Sequence, residues 1–89
     1  MIDKMASGHL SMVLAQHVTA RDFPSLAEKW STQLGAKFHH EAYNFDVRLW
    51  EVELSGELFY LSWDIWQNAL TLESRSANGD EIIKNLKIE

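Results

Sequence analysis

The alternation of apolar and polar positions is clearest between Arg48 and Glu73. Trp50, Val52 and Leu54 alternate with Glu51 and Glu53, Ser55-Gly56 interrupts the pattern, and Phe59, Leu61 and Trp63 resume it. Period-two alternation on both sides of a two-residue break predicts a β-hairpin. Antiparallel partners step in opposite directions, so a turn at Ser55-Gly56 pairs Leu54 with Glu57, Val52 with Phe59, Trp50 with Leu61 and Arg48 with Trp63. The other face then pairs Glu53 with Leu58, Glu51 with Tyr60 and Leu49 with Ser62. A slip by one residue would drive Glu51 or Glu53 into the core, which selects this register.

The flanks extend the pattern. Residues 1–7 carry no periodicity and are expected to form a flexible lead-in to a single α+β domain over 8–89. Leu10, Met12, Leu14, Gln16 and Val18 follow a strand period, although Leu10, Val13 and Leu14 also fit helical spacing. Phe23, Leu26, Ala27, Trp30 and Leu34 form a helical stripe that begins around Pro24 and stops at Gly35. Residues 36–42 read as a strand, and a turn centred on Asn44 places Phe38 beside Trp50 and His40 beside Arg48. A four-residue loop over 64–67 pairs Leu61 with Leu70 and Phe59 with Leu72. Beyond a loop over 76–80, Asp80-Glu81 opens a second helix with Ile82, Ile83 and Leu86 inward. The fold expected is α+β: strand, helix, four strands, helix, giving an antiparallel sheet of four to five strands with both helices on one face.

Composition narrows the function classes. A chain of 89 residues with 46% hydrophobic content supports one core and excludes disorder. There is no cysteine, hence no disulfide, thiolate metal site or cysteine nucleophile. The formal charge of -5, with Lys and Arg scattered along the chain, argues against a nucleic-acid partner. No apolar run approaches a membrane span, and the amino-terminal stretch lacks a signal-peptide pattern, so no membrane partner and a cytoplasmic location are expected. No nucleophile elbow, phosphate loop or HExxH motif is present, and the reading is a protein that is not an enzyme and carries no cofactor or metal.

Two groups of residues remain as candidates. The hairpin register and the Asn44 turn bring His40, Arg48, Trp63 and Asn68 into one row at the end of the core face. A guanidinium, an imidazole, an indole and an amide there would suit a small anionic or aromatic ligand. On the other face Leu49, Leu58 and Tyr60, with Trp66 from the following loop, form an apolar surface rimmed by Glu51, Glu53 and Glu73, the composition of a partner interface. His39 and Glu41 alternate onto one strand face but are too few to hold a metal. Glu51 and Glu53, about 7 Å apart by strand rise, read as a solvated hairpin surface rather than paired catalytic carboxylates. The leading expectation is therefore a binding protein that acts through its outer sheet face as a homodimer or accessory subunit. The alternatives are a small-ligand binder or weak enzyme at the His40 row, and an acidic mimic of nucleic acid.

At Trp50, Leu61-Ser62-Trp63-Asp64, Leu70-Thr71-Leu72 and Asn78-Gly79-Asp80, the chain resembles small uncharacterised bacterial proteins grouped as a domain of unknown function. These motifs are core tryptophans and turns. The resemblance therefore implies a bacterial cytoplasmic origin and transfers no catalytic residue.

Overall fold

The computed structural model describes residues 2–44 and 46–86. In chain order these form β1 (Ile2–Lys4), β2 (Leu10–Ala15), α1 (Phe23–Leu34), β3 (Lys37–Tyr43), β4 (Val47–Leu54), β5 (Glu57–Asp64), β6 (Leu70–Ser74) and α2 (Ala77–Asn85). The sheet is six-stranded, in the order β1-β2-β6-β5-β4-β3, and every neighbouring pair is antiparallel. The unpatterned lead-in thus contributes a strand of its own: Ile2 pairs with Met12 and Lys4 with Leu10. A three-residue edge strand is too short to show a period. Residues 87–89 of the expected domain lie outside the described residues.

The β4–β5 hairpin has the register that its alternation dictates, from Arg48–Trp63 to Leu54–Glu57. Ser55 and Gly56 both take positive φ, 54° and 81°, as a two-residue turn matched to strand twist requires. The two flanking registers differ from expectation. Asp64 Oδ1 accepts from the amides of Trp66 and Gln67, and Asn68 turns the chain at φ 51°. The β5–β6 loop therefore runs to residue 69, and Leu61 pairs with Leu72 and Phe59 with Ser74, instead of with Leu70 and Leu72. This shift is by two residues, so each side chain keeps its face.

At the β3–β4 turn Asn44 Oδ1 accepts from the amides of Asp46 and Val47, and pairing begins at Tyr43–Arg48. Glu41 then lies opposite Trp50 and His40 opposite Glu51, until a bulge at His39 restores Phe38 opposite Val52. The shift is by three residues at His40, which exchanges its face. At Phe38 it is by two, and the face survives.

Both helices cover one face. Phe23 at the start of α1 meets Trp50 edge to face at 6.1 Å, and Gly35 ends the helix at φ 74° with its N–H turned back to Ser31 and Thr32 carbonyls. Helix α2 begins earlier than expected because Ser76 caps it, its Oγ accepting from the Gly79 amide. Asn78-Gly79 is thereby helical rather than a loop. A methyl group at Gly79 would sit 2.6 Å from Ser74 Oγ and 3.4 Å from the Phe59 ring, so glycine permits the helix to approach the sheet. Phe23, Val52, Phe59, Leu61, Leu70, Leu72 and Ile83 fill the space between the layers and are fully buried.

Candidate functional site

Of the four residues expected to converge on the core face, the structure brings together Arg48 and Trp63, which pair directly. Both are committed to holding the β2–α1 connection. Trp63, 4% exposed, donates from Nε1 to Val18 O at 2.6 Å. Arg48 donates to Ala20 O and to Glu41 Oε2, each at 2.9 Å, and its guanidinium lies between the rings of Phe23 and Tyr43. Asn68 is exposed in the β5–β6 loop, its carbonyl accepting from the Val18 amide. His40 projects from the opposite face because of the three-residue shift. The His40, Arg48, Trp63, Asn68 row is therefore not formed. The His39–Glu41 pairing also fails: Glu41 turns to Arg48 and Trp50 Nε1, while His39 approaches Glu53 at 3.1 Å.

The expected interface residues fare differently. Leu49, Leu58 and Tyr60 all lie on the face opposite the helices, whereas Trp66, 75% exposed, stands off the end of the sheet in the β5–β6 loop. Two rows cross this open face. One runs Asp3, Ser11, Glu73, Tyr60, Glu51, His40 through all six strands. The next runs Val13, Thr71, Ser62, Leu49, Ala42 and carries no charge. Ser62 and Thr71 are each only 8% exposed although they lie on the face opposite the helices.

The charged row is cross-linked. Arg75 Nη1 donates to Glu51 Oε2 at 3.3 Å, and its guanidinium lies over the Tyr60 ring at 4.4 Å. The bulge turns His39 and His40 to one side, where both approach Glu51. Among the described residues no three His, Asp or Glu side chains are placed to hold a metal. Glu73 accepts from Ser62 Oγ at 2.8 Å, yet burial raises its carboxyl above the usual range, outweighing that hydrogen bond.

A feature that sequence reasoning missed lies where this face meets the β1–β2 turn. Asp80, in the first turn of α2, accepts from His9 Nδ1 at 3.0 Å and from the Leu10 amide at 2.9 Å. The hydrogen bond from His9, then that from Leu10, lowers the Asp80 carboxyl to about 2. As a carboxylate Asp80 can only accept, so the contact requires a proton on His9 Nδ1. An open hollow of about 460 Å³ adjoins this histidine, lined by Met5, Ala6, His9, Tyr60, Glu73 and Arg75 among others. His9 and Asp80 are 71 positions apart, and no local spacing announces the pair. One signal was available: counting back from Ser11 by two places His9 on the outer face.

No curated protein and no solved structure matches this chain. The family model that does match covers residues 1–87, wider than the resemblance carried by the tryptophan and turn motifs. The chain accordingly belongs to the DUF3630 family, described as a protein of unknown function.

Proposed function

We propose that this protein is a non-enzymatic interaction module that self-associates through its open sheet face. The observation that carries the reading is the uncharged row Val13, Thr71, Ser62, Leu49, Ala42, which crosses five strands without meeting either described helix. A strip five strands wide spans roughly 20 Å at the usual strand spacing. A specific dimer buries on the order of 1,200 Å² in total at its lower end, so the rows on either side of the strip must join it in the contact. The neighbouring row supplies both signs of charge, with Glu51 and Glu73 on one side of the balance and Arg75 on the other. A second copy related by a two-fold axis offers each group its complement.

Sedimentation equilibrium of the full chain, from about 1 μM to about 500 μM, tests this over the range where weak dimers dissociate. The expected result is a concentration-dependent dimer that Leu49→Glu converts to a monomer with unchanged far-ultraviolet circular dichroism. Leu49 is the residue to change because Tyr60 also lines the hollow beside His9. A wild-type monomer at every concentration, or a Leu49→Glu dimer of undiminished strength, overturns the reading.

A further inference from the structure

We infer that the hollow beside the β1–β2 turn is a binding site for a small organic carboxylate, held by Arg75 and His9 with its apolar body against Tyr60 and Met5. The site adjoins the uncharged strip and shares Arg75 and Glu73 with the charged row beside it, so a second copy packed on that row would compete with the ligand.

Three features of the hollow point to this ligand class. The first is Arg75. Its guanidinium is planar and lies flat on Tyr60, and Nη1 alone is engaged, by Glu51 at 3.3 Å. Nε and Nη2 make no hydrogen bond to the described residues. A guanidinium so placed has donors left on one edge, the geometry that takes a carboxylate through two parallel hydrogen bonds. The second is His9. Asp80 uses one oxygen on Nδ1 and the other on the Leu10 amide, so the ring is fixed to the backbone of the strand that carries it. Extending the Ser11–Glu73 register outward by two residues sets His9 opposite Arg75. Nε2 makes no hydrogen bond to the described residues either, and with a proton on it the ring offers a second donor to an anion.

The third is the lining itself. Met5 and Ala6 come from the β1–β2 turn, which Gly8 allows at φ 93° and which the Met5 amide closes onto His9 O at 2.8 Å. With the Tyr60 ring they offer an apolar wall beside Arg75 and His9, so an organic acid fits better than a bare inorganic anion. Among the described residues Glu73 is the one lining carboxylate. Its Oε2 is taken up by Ser62 Oγ, and burial already disfavours its charge. An anion in the hollow would be opposed by that charge and a cation would be welcomed by it, and the two ligand classes can be told apart on this residue.

The test is a titration of the isotopically labelled full chain with benzoate, and separately with benzylamine, followed by amide chemical shifts. Benzoate should produce saturable shifts at Ser7, His9, Leu10, Tyr60 and Arg75, and Arg75→Gln should weaken binding about tenfold, equivalent to roughly 1.4 kcal/mol. Arg75→Lys should fall between the two, since it keeps the charge and loses the fork. Glu73→Gln should tighten benzoate several-fold. Each variant's undisturbed spectrum away from the hollow shows that it has folded. Tighter binding of benzylamine than benzoate, weaker benzoate binding by Glu73→Gln, or no saturable shift up to about 20 mM overturns the assignment. Because the readout is binding at the hollow, a monomeric protein that binds benzoate would refute self-association and leave this site standing.

Discussion

Glu73 shows how one side chain can be held in an environment that does not suit its charge. It sits on a central strand between Ser11 and Tyr60, and burial raises its pKa above 4.5 despite the hydrogen bond from Ser62. A carboxyl whose folded pKa exceeds its unfolded value favours folding most when protonated. Its contribution is fully present below the unfolded pKa and is lost as pH rises through the folded one. Glu73→Gln keeps an acceptor for the Ser62 hydroxyl and removes the charge. The variant should therefore melt at a higher temperature than wild type at pH 7, and the difference should shrink to nothing near pH 3. An equal gain at both pH values would show that the charge is not the cause. Such a position is invisible in the sequence, where Glu73 is one more glutamate in an alternating strand. Arg48 is a second case: the hairpin pattern places it beside Trp63, but its use as a clasp on Ala20 depends on where the β2–α1 connection returns.

At the scale of elements, α2 and the sheet meet through a glycine that helical propensity alone would reject. Ala is ordinarily favoured over Gly inside a helix by about 1 kcal/mol. Here the added methyl would contact Ser74 Oγ, a 3% exposed residue whose hydroxyl donates to Ser76 O at 2.9 Å. Gly79→Ala should consequently destabilise by about 1 to 2 kcal/mol in chemical denaturation, the overpacking and lost hydrogen bond exceeding the helical gain. The same interplay of local and distant constraints explains which elements could be read in advance. The β4–β5 hairpin is local: its turn residues and both its strands state one register, and the structure has that register. Helix α1 carries its own stripe, proline and terminal glycine. For β3 and β6 the turn chemistry is set by single side chains, Asn44, which moves its connection along the chain, and Asp64, which lengthens its own, and by a bulge at His39 that leaves no mark on composition. Shifts by two residues cost the reading only a row. The shift by three removed His40 from the proposed ligand group, and with it the group itself.

For the whole molecule, the His9–Asp80 contact ties the start of β2 to the start of α2, two elements far apart in the chain. Asp80 has its pKa lowered from 3.8 to about 2, first through His9 and then through the Leu10 amide. A carboxylate with a depressed folded pKa contributes stability that is present above its unfolded pKa and lost as pH falls through the folded one. Asp80→Asn should therefore lower the melting temperature at pH 7, and the gap from wild type should close between about pH 4 and pH 2. A gap that persists at pH 2 would assign the effect to packing rather than charge. The two margins of the sheet are unequal: β1 spans three residues, while β3 presents seven, all of them exposed. Such a margin is open to any chain that can continue the ladder, and growth by that route has no natural end. The bulge at His39 interrupts the regular spacing of donors and acceptors halfway along β3, so an incoming strand cannot stay in step with it. The consequence is a restriction on architecture: one broken step at the rim disfavours open-ended growth through β3.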